Sequence, residues 1–118
     1  MSKKSVADLL HDILKELDDI ATFSIEGKED FFSNIKTQKA ITRSYEIIGE
    51  IIKRLPADYQ AQTAYMRWNR LVGFRDFLAH HYDEVIIENI WVAVEDLPNL
   101  RASIMKLLDD LDTPNEEK

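Results

Sequence analysis

One short stretch, Phe74-Arg75-Asp76-Phe77-Leu78-Ala79-His80-His81-Tyr82, gathers two of the chain's three histidines with an arginine, an aspartate and a tyrosine. An arginine is followed five residues later by a histidine, with a tyrosine two beyond. That supplies a permanent cation, a group that titrates near neutrality and a phenol. The set suits a phosphodiester. Cleaving RNA without a metal needs a base for the 2′-OH proton, an acid for the leaving 5′-oxygen and a cation on the phosphorane-like transition state. His80 can serve as base or acid, and the planar, always charged Arg75 suits the phosphate oxygens. Asp76 can orient the His80 imidazole or hold Arg75 in place, and Tyr82 can position phosphate. No carboxylate pair stands at metal-binding spacing, which favours a metal-free scheme over a two-metal nuclease and implies no cofactor.

The same residues have an ordinary reading. An Arg-Asp dipeptide on a helix is commonly a solvated ion pair, and His-His-Tyr at a helix end is commonly a C-terminal cap that favours the dipole. Trp68 and Trp91 read as core anchors rather than base-stacking platforms. His11 lies among charged neighbours and reads as surface. Asp18-Asp19 and Asp109-Asp110 read as solvated acidic faces, not metal ligands.

Composition limits what can surround the motif. At 118 residues and 45% hydrophobic, the chain suffices for one well-cored domain, expected over residues 1–112, with an acidic, fraying tail at 113–118. There is no cysteine, so disulfide frameworks and thiolate metal sites are excluded. Asp8, His11 and Asp12 interrupt the apolar residues after the N-terminal lysines, so neither a signal peptide nor a membrane span is expected, and the default location is cytoplasmic. The net charge of −7 argues against a general polyanion binder. Charge is uneven, however. Lys36, Lys39, Arg43, Lys53 and Arg54 face only Glu46 and Glu50 across one segment, and Arg67, Arg70 and Arg75 face only Asp76 across another. An acidic protein of this kind can still present one cationic cleft.

The elements that must position the motif read as helices. Ser5 with Asp8 forms a variant capping box, and Leu9, Leu10, Ile13, Leu14, Leu17, Ile20 and Ala21 recur at helical spacing, predicting a helix over 6–21. Ser24 and Gly27 mark a turn, Phe31 and Phe32 anchor a short helical turn, and Ser33 or Asn34 caps the next helix. That helix runs to about residue 55, where Pro56 stops it. Ile35, Ile41, Tyr45, Ile48, Ile52 and Leu55 form its seam, with Gln38 a polar lapse. Ile47 and Ile51 add a second apolar flank, which predicts burial on two sides and, in so small a chain, a second subunit. A polar connection over 56–63 precedes a third long helix over 64–79, within which Gly73 can permit close packing. A last helix takes in residues 86–111, kinked or restarted at Pro98. Helical periodicity with short connections predicts an all-α, antiparallel four-helix bundle with an additional short helix or turn.

The spacing R-x4-H-x-Y resembles the signature of the HEPN superfamily, specifically the HepT-like toxin ribonucleases. Ala40 to Glu50, ending Ile-Ile-Gly-Glu, is similar to that family's second-helix block. Trp68 to Tyr82 is similar to its Trp-to-His-x-Tyr block, and Ile90-Trp91 with Asp96-Leu97-Pro98 and Leu100 to its last. The residue after the motif arginine is Asp76 where many relatives carry Asn. His81 adds a second histidine, but only His80 leaves Tyr82 at the x-Tyr position. The resemblance implies a dimeric ribonuclease with Arg75, Asp76 and His80 catalytic. It further implies a minimal nucleotidyltransferase antitoxin as partner, in a homodimer or larger hetero-oligomer, that transfers AMP to Tyr82.

One geometric problem precedes any structure. Five helical residues turn through about 140°, so Arg75 and His80 do not share a face, whereas Asp76 and His80 do. Either the helix ends before His80, or a two-fold dimer completes the site. The competing functional class is a non-catalytic helical subunit that helps a nucleotidyltransferase hold its substrate; it has no need of Arg75 and His80.

Overall fold

The N-terminal helix α1 (Val6–Phe23) begins as its capping box dictates: the Asp8 amide donates to Ser5 Oγ at 3.0 Å and the Ser5 amide to Asp8 Oδ2 at 3.1 Å. These bonds to the ionised form, the backbone one first, hold the Asp8 carboxyl below the usual carboxylate range. The computed structural model describes residues 4–81 and 87–112, so the expected tail at 113–118 lies outside the described residues. From α1, Leu10, Ile13, Leu17 and Ile20 are almost wholly buried, while Ala21, expected on the same stripe, is exposed.

Gly27, at φ +89°, takes the left-handed turn that starts α2 (Gly27–Ser33), a conformation that suits a residue without Cβ. Phe31 is fully buried against Trp91, ring centroids 5.1 Å apart, whereas Phe32 stays 36% exposed at the rim. Asn34 then caps α3 (Ile35–Lys53), accepting from the Lys36 and Thr37 amides. Gln38, a lapse in the apolar seam, has a physical reason: its Nε2 donates to the Phe31 carbonyl at 2.9 Å and satisfies the end of α2.

The α3 helix packs on α1 along one side and on α5 along the other. This settles the two-sided apolar pattern within a single chain. Ile41, Ile48 and Ile52 are buried, but so is Ile51 on the second flank, and Ile47 is packed against the same core. The surplus flank therefore does not need a second subunit. Ile35, placed in the seam by its spacing, is instead exposed in the first turn.

Helix α3 ends at Lys53, and Pro56 leads into a second short helix, α4 (Ala57–Gln62). Gln60 Nε2 reaches back to the Ile52 and Leu55 carbonyls, so α4 acts as a C-cap for α3. A 3-10 turn over Ala64–Met66 and Arg67, at φ 54°, set up the start of α5 (Trp68–His80). The third long helix thus begins four residues later than its apolar spacing suggests. Trp68 locks that corner, 3% exposed, its indole N–H donating to Thr63 Oγ1 at 2.9 Å.

The last apolar run divides into α6 (Ile87–Glu95) and α7 (Leu97–Asp112). Pro98 lacks the N–H that would continue α6 but is tolerated in the first turn of α7, which explains a break at Asp96. Ile104, Leu107 and Leu108 bury α7 against α1, and Arg101 Nε donates to Asp18 Oδ1 at 2.9 Å across that seam. Trp91 is buried with Phe31, so both tryptophans are core anchors. The whole is all-helical among the described residues.

Candidate active site

The site is built where α5 crosses α3. Gly49 lies in the interior of α3, directly beneath the stem of Arg75. A Cβ placed on it would overlap the Arg75 Cβ and sit 2.5 Å from its Cγ. Close approach of the two helices therefore depends on Gly49, and not on Gly73, which has open space around it.

Pressed onto the backbone of α3, the Arg75 side chain is only 20% exposed, and its guanidinium is held from two directions. Nη2 pairs with Glu50 of α3. Nη1 donates to Asp76 Oδ1 at 3.1 Å, and Lys53 Nζ donates to the same oxygen at 2.9 Å. Asp76 thus ties one cation from each helix together. Those two bonds, Lys53's first, hold its carboxyl below the ordinary carboxylate range. The Arg75 Nε is buried and lacks a hydrogen-bond partner among the described residues. Planar and held from two sides, the guanidinium is of the kind that can receive an oxyanion such as a phosphate.

His80 is the last residue of α5, exposed at the helix end. Because α5 is continuous through it, Arg75 and His80 stand about 140° apart around one axis. The option that the helix ends before His80 is excluded. Asp76, four residues from His80, spends its hydrogen-bonded oxygen on Lys53 and Arg75, so it holds the arginine and not the imidazole. His81 stacks on Phe77 at a centroid distance of 5.1 Å with 22° between ring planes. Tyr82, the expected modification site, lies outside the described residues. The structure thus brings Arg75 and Asp76 together, adds Glu50, Lys53 and Gly49, and leaves His80 on another face of the same helix.

On the far side of α5 an open groove of about 740 Å³ separates it from α6 and α7. Phe74, Phe77, Leu71, Val92 and Leu100 line it, with Phe77 41% and Val92 62% exposed. Tyr45 forms part of its floor. Burial first, and Asp96 second, push that phenol's pKa well up, so it remains protonated. Among the described residues, no group of three His, Asp or Glu side chains is gathered as a metal site, and no helix is long and apolar enough to cross a membrane.

The molecule is thus an all-helical bundle with a clamped arginine and an end-of-helix histidine on one helix. Residues 13–107 match the ribonuclease HepT-like family, and the chain belongs to it. Among its relatives is a candidate RNase of Methanocaldococcus jannaschii, 36% identical over 118 residues and covering 98% of each chain. A second from that organism is 32% identical over 114 residues, covering 95% of this chain and 98% of its own. The probable ribonuclease HepT of Thermococcus cleftensis is 37% identical over 107 residues, 89% of this chain and 97% of its own. No solved structure matches. At the level of the family, the activity is that of an RNase and the substrate class is RNA.

Proposed function

We propose that the chain is the toxin of a toxin–antitoxin pair of the type II or VII kind: a metal-independent endoribonuclease, with tRNA among its candidate substrates, working as a homodimer. One observation carries the reading. A single continuous helix presents Arg75, clamped by Glu50 and Asp76, and His80, exposed at its end, on different faces. The site then combines the Arg75 of one protomer with the His80 of its partner. In the reaction His80 removes the 2′-OH proton while water protonates O5′, or gives O5′ a proton from its imidazolium form while water takes the 2′-OH proton. The 2′-oxygen bonds to phosphorus, the P–O5′ bond breaks, and a 2′,3′-cyclic phosphate and a free 5′-hydroxyl result. Arg75 stabilises the charge on the phosphoryl oxygens. Asp76 keeps Arg75 oriented.

The surface that joins two protomers is the α5–α6 face. Phe77 and Val92 expose apolar area along the groove there, and His80 and His81 adjoin it in sequence. Control comes from a nucleotidyltransferase antitoxin. The Tyr82 oxygen attacks the α-phosphorus of ATP, pyrophosphate leaves, and the phenolic proton is lost to solvent. The new phosphodiester, two residues from His80, competes with RNA for Arg75.

The test is RNA cleavage by the purified protein in EDTA. Arg75→Ala and His80→Ala should each lower kcat by about a hundredfold or more, the exposed His80→Ala with melting temperature nearly unchanged and Arg75→Ala with a lower one, because it gives up the pairs to Glu50 and Asp76. Mixing the two inactive variants should restore part of the activity. Full activity in His80→Ala refutes the assignment, and loss in His81→Ala alone moves it by one residue. With the cognate nucleotidyltransferase, ATP and magnesium, the peptide ending at Tyr82 should gain the mass of AMP as cleavage falls. Tyr82→Phe should escape both.

A further inference from the structure

The two cationic segments of the sequence are α3 and α5, and the fold packs them against each other. Along α3, Lys36, Lys39 and Arg43 are spaced by three and four residues, and Lys53 and the capping Arg54 follow ten and eleven residues after Arg43. Steps of about 100° place all five within a quarter to a third of the helix circumference. All five are exposed. Only Glu46 and Glu50 interrupt them. Glu50 is taken up by Arg75, and Glu46 lies 3.7 Å from Arg43, whose side chain remains 68% exposed.

The neighbouring helices differ. On α1 the single lysine, Lys15, pairs with Asp19; on α7, Arg101 pairs with Asp18 and Lys106 with Asp110. Among the described residues, α3 therefore carries the longest run of exposed cations, with Lys36, Lys39 and Arg54 in no ion pair and Arg43 and Lys53 each facing one carboxylate. The stripe is continuous with the site, since Lys53 shares the Asp76 oxygen with Arg75. From Lys36 to Lys53 it runs about 25 Å along the helix, a length that several consecutive phosphates of one strand span.

We propose that this stripe is a track for the phosphate backbone of RNA, leading a single strand along α3 to Arg75. The inference rests on the ribonuclease reading and states how that site takes its substrate. Charge complementarity, exposure and continuity with the clamped arginine argue for a polyanionic strand. Lys53 then delivers the last phosphate before the scissile one, and Asp76 sets the spacing between the two cations.

The experiment is equilibrium binding of fluorescent 2′-O-methyl RNA, which resists cleavage, to the full chain at several salt concentrations, alongside steady-state cleavage of unmodified RNA. The triple variant Lys36→Glu/Lys39→Glu/Arg43→Glu should weaken binding of a 12-nucleotide strand by about tenfold or more and flatten the salt dependence by about two logarithmic units per decade of salt. It should raise KM for that strand with kcat retained, and leave a tetranucleotide unaffected. The neutral Lys36→Gln/Lys39→Gln/Arg43→Gln variant should show a smaller shift in the same direction. Lys15→Glu/Lys106→Glu, off the stripe, should bind like the parent. Unchanged RNA affinity in the triple variant overturns the proposal, including when the stripe is found to hold an acidic protein face instead. Stripe-dependent binding without cleavage by any preparation removes the nuclease reading and keeps the track; cleavage indifferent to the stripe does the reverse.

Discussion

At the scale of single residues, Gly49 is the most constrained position in the site. In an exposed helix interior, alanine would be favoured over glycine by about 1 kcal/mol. Here the added methyl meets the Cβ and Cγ of Arg75, which are anchored to the α5 backbone and cannot swing aside. Gly49→Ala should therefore destabilise the chain by about 1–3 kcal/mol, read from urea unfolding. It should also lower kcat through displacement of the guanidinium; an alanine variant as stable and active as the parent would refute the contact. Asp76 makes a second prediction, about pH. Its folded pKa lies below the unfolded value, so its contribution is complete above about pH 3.9 and is lost as pH falls through the depressed folded value. Asp76→Asn should melt below the parent at pH 7, and the two curves should converge in acid. A gap that persists or widens in acid would mean the carboxylate is not what matters. The Arg75–Asp76 pairing was legible in the sequence because the two residues are adjacent in a short motif, whereas His80 of the same motif stands on another face of α5. Glu50 and Lys53 were not legible, since their partners lie 25 and 23 residues away and no local period links them. A glycine interrupting the middle of an apolar seam, followed by an acid and a lysine, was the available signal.

At the scale of elements, local chemistry set the boundaries that the sequence disclosed. The Ser5 box, the Asn34 cap, Pro56 and Pro98 all act on their own immediate neighbours, and the structure uses each of them. Elements whose position depends on distant partners were less legible. The start of α5 moved to Trp68 because the indole bonds Thr63, and the corner needs Arg67 in a left-handed conformation that costs a non-glycine residue about 1–2 kcal/mol. Arg67→Gly should relieve that strain at the expense of unfolded-state entropy, and a net gain of a few tenths to 1 kcal/mol should appear as a higher urea midpoint. A lower midpoint would show that the Arg67 side chain contributes more than its backbone costs. The two-sided apolar pattern of α3 was read correctly as two burials. Its second partner is α5 of the same chain, because a central helix in a small bundle has neighbours on both sides.

For the whole molecule, exposed apolar side chains are scattered, Ile25, Ile35 and Met105 among them, and on α5 and α6 two of them, Phe77 and Val92, line one open groove. Phe77→Glu with Val92→Glu should convert a dimer into a monomer in sedimentation at micromolar concentration, with helicity retained and cleavage lost. A monomeric parent with full activity would refute the two-chain site. The fold class was readable from periodicity alone, since helical spacing fills almost the whole chain and no strand pattern competes with it. The open groove between α5 and the α6–α7 arm was not, because Leu71, Phe74 and Phe77 have the spacing of core residues whether or not anything covers them.

The pairing of Arg75 with Glu50 has a kinetic consequence. With Lys53, Asp76 and Glu50 around it, the resting cluster carries two positive and two negative side chains and exerts little pull on a distant anion. An arriving phosphate has to exchange with a resident carboxylate, and a small free anion gains too little to displace it. A strand held along α3 presents its phosphate at high local concentration, so the exchange becomes favourable only for a ligand already captured elsewhere. If Arg75 receives the phosphate and α3 the strand, Glu50 sorts polymers from salts, and free phosphate should be a poor inhibitor of RNA cleavage.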